Sequence, residues 1–349
     1  MARKLTLAQV AEKAGVSLGT ASNAFNRPDA LSASLLDRVR TAARELGYTG
    51  PDPAGRRLRT GRTGAIGLIF TADLPFAFTD QATIEFLRGV ATGVEEAGAG
   101  LLIVPGTFHA DDPARVVREA AVDGFLLYSS PAGDPRVEAA LQRRLPTVTV
   151  DQPREIATTF VGIDDRAAAA EAARHIRTLG HERVAILTFA NTAFDRGELV
   201  YELTNERRAG YAEGLGEAYE PELVAVAMPN STEQGRATTR ELLGAPDRPT
   251  AIMAMSDALA AGALQAARDV GFRVPQDLSV VGFDDSPLAS ATDPPLTTVA
   301  QPQQRKGLDA ARLLIRGIAG DEPLDPAARI ILPHDLVERG STAPPPGAG

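Results

Sequence analysis

The chain has 349 residues, of which 44% are hydrophobic and 23% charged, and it contains no cysteine. This length predicts two or three domains with ordinary globular cores, and the lack of cysteine excludes disulfides, thiolate metal sites and a cysteine nucleophile. The first 15 residues lack the apolar segment of a signal peptide, and no apolar run reaches the roughly 18 residues that a membrane span needs. We therefore expect a soluble, cytoplasmic protein without a membrane partner.

Charge is distributed unevenly along the chain. Residues 1–63 carry 11 Lys and Arg against five Asp and Glu, whereas residues 64–349 carry 25 against 40. A basic head on an acidic body is typical of a small nucleic-acid-binding domain joined to another module. On charge alone, a solvated basic face is an equally good interpretation.

Short polar residues and glycines mark the ends of three helices in the head. Ser and Thr favour the position before a helix, and a glycine after the last turn can end one. These signals place helices after Thr6 (with Gln9 completing a capping box), after Ser17 (Leu18 to about Phe25) and after Ser32, with Gly15 and Gly47 ending the first and third. Two short helices joined by a tight glycine turn and closed by a third predict a helix-turn-helix, with a generic three-helix bundle as the alternative.

The second helix of a helix-turn-helix lies in the major groove, with its first residues nearest the base edges. There Leu18 can contact a thymine methyl group, and Asn23 can hydrogen-bond an adenine edge. Short polar side chains nearby suit phosphate oxygens, which position the protein without specifying sequence. The head residues that we expect at DNA are Thr6, Ser17, Leu18, Gly19, Thr20, Ser22, Asn23 and Asn26.

Several sequence blocks follow one another from about Leu5 to Thr342. They include AQVAEKAGVSLGTASNAFN, LSASLLDRVRTAARELGY and RRLRTGRTGAIGLIF, then VGIDDRAAAAEAARHIRTLGHERVAIL, ERRAGY, PTAIMAMSDALAAGAL, GFRVPQDLSVVGFDD, DPPLTTVAQP and LVERGST. In this order they resemble the lactose-repressor (LacI/GalR) family of transcription regulators. The resemblance implies a helix-turn-helix domain at residues 1–50 and, at 64–342, an effector-binding and dimerisation domain with the periplasmic-binding-protein-like fold.

Residues 51–63 match that family's hinge, and this stretch is rich in arginine. An isolated helix this short is marginal in water, so it should order only on DNA, against the hinge of a second subunit. The resemblance implies that Ala54, Arg57 and Leu58 contact DNA, with Leu58 as a wedge that bends the duplex from the minor groove. The chain departs from the family at Gly55, where Ala is usual, and by one extra residue before the hinge. A plain flexible linker is the alternative.

The body alternates short apolar runs with helical stretches, which is typical of parallel sheets covered on both faces. So many strands divide more naturally into two doubly wound lobes, with a ligand cleft beyond the carboxyl ends of the strands. The predicted strands are Ala65–Phe70, Leu101–Val104, Gly124–Tyr128, Thr147–Val150, Phe160–Ile163, Val184–Phe189, Leu223–Val226, Ala251–Ala254 and Leu278–Val281; predicted helices include Ala167–Leu179 and Asp257–Val270.

The resemblance also implies three crossings between the lobes, which we place near residues 163, 284–294 and 321–326. Lobe 1 would then hold about 64–162 and 295–325, and lobe 2 about 163–291 and 327–340. The last residues, 343–349, are predicted to be a disordered tail, because they are rich in Pro and Gly and have no leucine heptad.

Candidate ligand-binding residues stand at strand ends and helix starts in the body. Asp151 and Asp284 follow predicted strands, and Arg207 opens the ERRAGY helix. Carboxylates and a guanidinium make charge-assisted hydrogen bonds, which suit hydroxyl-rich ligands such as sugars. The resemblance adds Ser256, where the family often has Asn. Helix caps or internal hydrogen bonds are the alternative role for these polar residues.

Two aromatic residues lie in a loop that is longer than the family's usual one. Phe76 and Phe78 are placed either against a ring of the ligand or in the core beneath the loop, and the sequence does not separate these two roles.

Motifs for enzymatic chemistry are missing from the sequence. There is no G-x-G-x-x-G after a strand, no phosphate-binding loop and no H-E-x-x-H, and the four histidines lack metal-ligand spacing. We therefore expect no catalytic residue, no metal and no cofactor. The leading hypothesis is a repressor that binds palindromic double-stranded operator DNA as a homodimer and responds to a sugar-like effector. A solute-binding protein of a transporter and a sugar-converting enzyme are the alternatives.

Overall fold

The computed structural model describes residues 5–50, 61–70, 74–104, 111–188 and 201–347. The chain divides into two compact units, Met1–Thr63 and Gly64–Gly349.

Three helices form the first unit: α1 (Leu7–Ala14), α2 (Leu18–Asn26) and α3 (Ala33–Leu46), with a short 3₁₀ turn at Pro28–Ala30. The predicted capping box of Thr6 is present, and the predicted caps before α2 and α3 each accept a hydrogen bond from the backbone N–H of the third residue of their helix. Both predicted terminating glycines adopt the left-handed conformation, with φ of 63° at Gly15 and 71° at Gly47. The helix-turn-helix prediction is confirmed.

Small side chains dominate the core of the head and allow its helices to pack closely. Phe25 and Tyr48 close this core at one end, where their rings pack edge to face with centroids 5.6 Å apart. The buried residues are Val10, Ala11, Ala14, Ala21, Ala24, Val39, Ala42 and Ala43.

The second unit alternates strands and helices along most of its length. In chain order its elements are β1 (Ala65–Phe70), α4 (Leu74–Ala77), α5 (Gln81–Glu96), β2 (Gly100–Val104), α6 (Arg115–Glu119), β3 (Phe125–Tyr128), α7 (Pro135–Gln142), β4 (Thr147–Val150), β5 (Thr159–Gly162), α8 (Asp165–Thr178), β6 (Val184–Thr188), α9 (Glu202–Leu215), β7 (Val224–Val226), α10 (Thr232–Leu243), β8 (Ala251–Ala254), α11 (Asp257–Asp269), β9 (Ser279–Asp284), α12 (Pro287–Ala291), β10 (Thr297–Ala300), α13 (Gln303–Ala319), β11 (Arg329–Ile331) and β12 (Asp335–Val337).

These strands form two six-stranded sheets, each the centre of one lobe. The lobe 1 sheet has the order β11-β5-β4-β3-β1-β2, and all of its neighbouring strands are parallel. The lobe 2 sheet has the order β12-β10-β9-β8-β6-β7, and in it only the edge pair β10–β12 is antiparallel. The central strands β3, β4 and β8 are buried throughout, because helices cover both faces. The prediction of two doubly wound lobes is confirmed.

Two of the three predicted crossings between the lobes are wrong. β10 pairs with β9 and so belongs to lobe 2, which moves the second crossing from 284–294 to 301–303. β11 pairs with β5 in lobe 1, which moves the third crossing from 321–326 to 332–334. The sequence did not reveal β10, β11 and β12, because β10 begins with two threonines and the edge strands β11 and β12 begin with a charged residue and are partly exposed.

Glycines bring the long helices of lobe 1 into contact. A Cβ atom on Gly89 of α5 would lie 1.9 Å from the carbonyl oxygen of Gln304, and one on Gly307 of α13 would lie 2.2 Å from that of Phe86. Only glycine allows this approach, which places the start of α13 beside α5 at the cleft.

The predicted disordered tail does not begin at Ala343. Its N–H donates to Ser279 Oγ over 3.0 Å, and its carbonyl oxygen lies 2.9 Å from His181 Nε2. His181 is buried, with its Nδ1 atom 2.9 Å from Thr250 Oγ1, and this burial lowers its pKa. Ala343 is therefore held against lobe 2 by hydrogen bonds to the buried polar side chains of Ser279 and His181.

Candidate functional site

The exposed face of α2 is the candidate DNA surface of the head. Leu18, at the first turn, is 56% exposed although it is apolar, and Gly19 and Asn23 are also exposed. Residues four positions apart lie on the same face of a helix, so Leu18 is next to Ser22, and Gly19 is next to Asn23. The structure thus places Leu18 and Asn23, the two residues expected to contact bases, on one face with Gly19 and Ser22.

The remaining predicted DNA contacts of the head have partners within the head. Ser17 Oγ accepts a hydrogen bond from the Thr20 N–H over 3.1 Å and lies 2.9 Å from Thr20 Oγ1. Asn26 donates to the carbonyl oxygen of Ser22 over 3.0 Å. Thr6 is tied to Gln9 by the capping box. These side chains stabilise helix ends, and their contacts with phosphates stay predictions.

The hinge residues Ala54, Arg57 and Leu58 lie outside the described residues. Their contacts with DNA stay predictions that rest on the resemblance.

A cavity of about 480 Å³ lies between the two lobes of the body. Lobe 1 contributes the end of α4 and the start of α5, and lobe 2 contributes the segment before α10 and the one that follows β9. Its lining includes Phe76, Thr79, Asp80, Asn230, Ser231, Asp284 and Ser286. Asp284 and Ser286 also line a second cavity, of about 760 Å³, where Arg88, Arg305 and Arg339 lie.

Asp284 is the last residue of β9 and is only 9% exposed. Burial, together with the neighbouring carboxylate of Asp257, raises its pKa well above the usual range. Burial also raises the pKa of Asp257 to about 6. The backbone of Asp284 has φ of 122°, a conformation that side chains rarely adopt. Such strain is concentrated at functional sites in proteins, which supports a binding role for this residue.

Other residues at strand ends share this unusual backbone. Ser129 after β3, Asp151 after β4 and Asp285 after β9 have φ of 49°, 65° and 53°. The carboxyl ends of parallel strands form the ligand-facing edge of a doubly wound sheet. In both lobes, residues with this strained backbone conformation therefore lie at the ligand-facing edge of the sheet.

Sequence reasoning missed a chain of buried polar groups that joins the lobes. Lys306 on α13 is fully buried, and its Nζ atom donates to Asp151 Oδ1 over 2.6 Å and to Gln301 Oε1. Gln301, at the second crossing, in turn donates from Nε2 to Asp284 Oδ1 over 2.5 Å. Only three of the 36 basic residues are lysine, which was the one available signal. The oxygen of Asp151 that Lys306 uses is therefore not free, and ligand binding by Asp151 stays a prediction.

Arg207 is also engaged within the protein. Its Nε donates to Asp165 Oδ1 over 3.0 Å, and its Nη1 donates to the carbonyl oxygen of Met255 over 2.7 Å. Its guanidinium lies 3.6 Å from the ring centroid of Phe283. Arg207 is only 3% exposed, and these contacts stabilise lobe 2. Direct contact between Arg207 and a ligand stays a prediction.

The other predicted ligand residues differ in their surroundings. Ser256 caps α11 and donates to Asn230 Oδ1 over 2.6 Å, so it positions a residue of the cavity wall. Phe76 is half-buried, packs against the core and lines the cavity. This position is compatible with both predicted roles, contact with a ligand ring and packing in the core. Phe78 is 61% exposed and does not line either of the two cavities described here.

Asp80 and Asn230, which the sequence did not single out, meet across the cleft. The Asn230 amide lies 3.5 Å from Asp80 Oδ1, and the other oxygen of Asp80 accepts from the Thr83 N–H over 2.9 Å. Burial raises the pKa of Asp80. Asp80 stands where a helix cap is expected, which explains why sequence patterns assign it no further role.

Neither a metal-binding cluster nor a membrane-spanning helix is present in the part of the chain that the structure describes. There, no three His, Asp or Glu side chains are grouped to hold a metal ion. No described helix has both the length and the apolar character to cross a membrane.

A helix-turn-helix head and a two-lobed body with a polar cleft define a DNA-binding regulator with a ligand-binding domain. Comparisons with known proteins agree. The family model for bacterial regulatory proteins of the lacI family matches residues 6–50, and that for a periplasmic binding protein-like domain matches residues 173–342.

Relatives and a solved structure extend the likeness to the whole chain. The HTH-type transcriptional regulator Rv3575c of Mycobacterium tuberculosis is 40% identical, over 99% of this chain and 98% of the relative. The HTH-type transcriptional repressor CytR of Escherichia coli is 32% identical, over 97% and 96%. The structure of a transcriptional regulator CelR–cellobiose complex has 30% identity and a TM-score of 0.71, and the match covers 97% of this chain and 100% of that one.

The chain therefore belongs to the LacI family of bacterial transcription regulators. The resemblance noted from the sequence is confirmed, as is the prediction that the protein is a regulator and not an enzyme.

Proposed function

We propose that this regulator is a repressor that binds a palindromic operator as a homodimer and is controlled by a sugar-like molecule in the cleft between its lobes. One observation carries the ligand-binding part of this proposal. Asp284 lines the cleft on lobe 2 and is joined through Gln301 to Lys306 on lobe 1. A ligand that bonds Asp284 would therefore act on a chain of hydrogen bonds that spans both lobes.

On the DNA side, α2 presents one small polar face and one exposed leucine. Asn23 suits an adenine edge and Leu18 a thymine methyl, and the basic charge of the head supplies phosphate contacts. One such head contacts few bases, so two heads related by a two-fold axis and reading a palindrome are expected. Leu58 of each hinge would enter the minor groove between the two half-sites and bend the DNA.

Control by a ligand requires that the cleft and the DNA surface be coupled. A ligand that binds one arrangement of the lobes better than another shifts the population towards it. Linkage then requires that DNA change the affinity for the ligand by the same factor as the ligand changes the affinity for DNA. A related structure holds cellobiose, which supports a sugar-like effector here.

Binding to DNA upstream of the gene itself tests the regulatory role. We expect the full chain to bind a palindrome there at least about 1,000-fold more tightly than random DNA of the same length. Scrambling one half-site should remove most of this preference, and Asn23→Ala should weaken specific binding by about 1–3 kcal/mol. Fluorescence anisotropy measures all three. Equal binding to every duplex would contradict a palindromic operator at this position.

Replacing Asp284 by Ala tests the position of the ligand site. We expect operator binding to persist, and the affinity for a sugar that alters operator binding by the parent protein to fall roughly 10- to 150-fold, because a charged hydrogen bond contributes about 1.5–3 kcal/mol. Calorimetric titration measures this loss. Asp285→Ala is the matched control, since Asp285 bonds Arg339 over 2.6 Å and lines only the larger of the two cavities described. A larger loss in the control would move the site to that cavity. Arg207→Ala is a poor test, because it would remove one of the two arginines that pair with the buried Asp165.

A further inference from the structure

The cavity of about 760 Å³ lies between the lobes at the point where α13 begins. Lobe 1 contributes α5 and the first turn of α13, and lobe 2 contributes the segments that follow β9 and β12. Three arginines line this cavity: Arg88 on α5, Arg305 on α13 and Arg339 after β12. Guanidinium groups from both lobes therefore border one space.

Each of these guanidinium groups keeps N–H donors that are not used within the described residues. A guanidinium carries more N–H groups than one carboxylate can accept. Arg88 bonds a carboxylate through Nη1, and Arg305 bonds another through Nε. Arg339 bonds a backbone carbonyl oxygen through Nη1 and Asp285 through Nη2. The other N–H groups remain available to an anion that enters the cavity.

The first turn of α13 adds backbone donors to the same cavity, which Pro302, Gln303, Gln304 and Arg305 all line. The first N–H groups of a helix have no acceptor within the helix. The Gln303 N–H bonds the carbonyl oxygen of Gln301 over 2.8 Å, and no side chain in the described part of the chain caps the turn. A helix of 17 residues also carries a partial positive charge at this end, which favours a negative group here.

A buried amide without a partner also indicates a ligand at this place. Gln303 is 7% exposed, and its Oε1 atom has no hydrogen-bond partner in the described part of the chain. An unpaired buried polar atom costs free energy, so native proteins rarely contain one unless another molecule supplies the bond. The side chain lines the cavity, and rotation of its amide group can present either the oxygen or the N–H donors. A bound molecule would therefore satisfy this amide.

Three carboxylates also line the cavity, and each has a partner at hydrogen-bond distance. Glu85 and Asp285 each pair with an arginine of the cavity wall over 2.6 Å. Asp284 accepts from Gln301 over 2.5 Å, and burial raises its pKa well above the usual range, which reduces its negative charge near neutral pH. The three arginines therefore outnumber the two carboxylates that are paired with arginines of this wall.

We propose that this cavity binds a phosphate group, either inorganic phosphate or the phosphate of a small ester, through Arg88, Arg305, Arg339 and the start of α13. This site goes beyond the sugar-like effector proposed above and does not use Asp284 as a ligand. A phosphate group presents more acceptor oxygens than a carboxylate does, so it can meet donors from several directions. Because two of the arginines belong to lobe 1 and one to lobe 2, a bound phosphate would link the lobes.

Titration of the full chain with sodium phosphate at constant ionic strength tests the site. We expect saturable binding with a Kd below about 1 mM, measured by calorimetry. Glucose 6-phosphate and glucose distinguish the two sources of the phosphate group. Glucose 6-phosphate should compete with inorganic phosphate if the cavity also accepts esters, and should not compete if it accepts the free ion alone. Glucose should leave phosphate binding unchanged in either case.

Two arginines of α13 provide a matched pair of variants. Arg305→Gln removes a guanidinium of the cavity, whereas Arg312→Gln removes one that pairs with Glu96 and does not line this cavity. We expect Arg305→Gln to weaken phosphate binding about tenfold, because a charged hydrogen bond is lost. Arg312→Gln should change it by less than about twofold, since that charge lies in a surface pair.

Gln303→Leu tests the buried amide separately. It should weaken phosphate binding about threefold, because a neutral hydrogen bond to the ligand is lost. It should not lower the midpoint of thermal unfolding, because the polar atom that it removes has no partner within the described residues. A residue with a purely structural role would show the opposite pattern.

Three outcomes would overturn this proposal. They are a Kd for phosphate above about 1 mM, equal losses in Arg305→Gln and Arg312→Gln, and phosphate binding that Gln303→Leu leaves unchanged. Equal losses would mean that phosphate is attracted by the overall charge or bound elsewhere, for instance by the basic head. Operator binding is measured on the same preparations, and if it persists, the regulatory function stands and only the phosphate site fails.

Discussion

Lys306→Met is expected to lower the free energy of unfolding of the body by about 3–5 kcal/mol. The lysine is fully buried, and its ammonium holds Asp151 and Gln301 in place. Removing one partner of a buried ion pair leaves the other charge without water or counterion, which costs far more than a surface pair contributes. Urea denaturation followed by far-ultraviolet circular dichroism measures the loss.

Two variants distinguish this mechanism from a general packing defect. Lys306→Met combined with Asp151→Asn removes both charges and should recover most of the lost stability. Arg305→Gln is the neighbouring control, because that side chain is 64% exposed and pairs with Asp309 at the surface; its effect should stay within about 0.5 kcal/mol. A single mutant Lys306→Met that loses less than about 1 kcal/mol would contradict the buried pair.

Raising the salt concentration from 50 to 200 mM should weaken operator binding by about 10³-fold. The head carries an excess of basic residues, and a dimer brings two heads to the DNA. Each phosphate that a Lys or Arg neutralises releases a condensed counterion, so six or more contacts give a loss of this size. Anisotropy titrations at four salt concentrations give the slope of log affinity against log salt.

A duplex of random sequence and the same length is the control for this slope. It should show weak binding with a similar dependence on salt, because phosphate contacts carry little sequence information. An operator affinity that stays constant over this range would mean that phosphates do not anchor the head.

Local sequence signals predicted the head closely. The cap residues Thr6, Ser17 and Ser32 and the terminating glycines Gly15 and Gly47 stand at the ends of the helices as expected. Each of these signals acts within one turn of the chain, through a hydrogen bond to a nearby backbone group or a backbone conformation that glycine adopts easily. Such effects depend little on the rest of the fold.

The strands of the body fall into two groups. Apolar runs such as β1 and β8 were predicted at their observed bounds, because strands buried on both faces are rich in apolar residues. β10, β11 and β12 begin with polar or charged residues and were missed, because their place in the sheet follows from pairing with a neighbouring strand and not from an apolar run. The error in these strands also misplaced two of the crossings between lobes.

The sequence by itself determined the class of protein, the helix-turn-helix and the two-lobed architecture, because these follow from local patterns and from blocks shared with a family. Only the tertiary structure decided which charges face the cleft. Lys306 and Asp151 are 155 residues apart, and Asp284 and Gln301 are 17 residues apart with β10 between them. Burial makes each of these groups require a partner, and only the folded chain determines which partner is within reach.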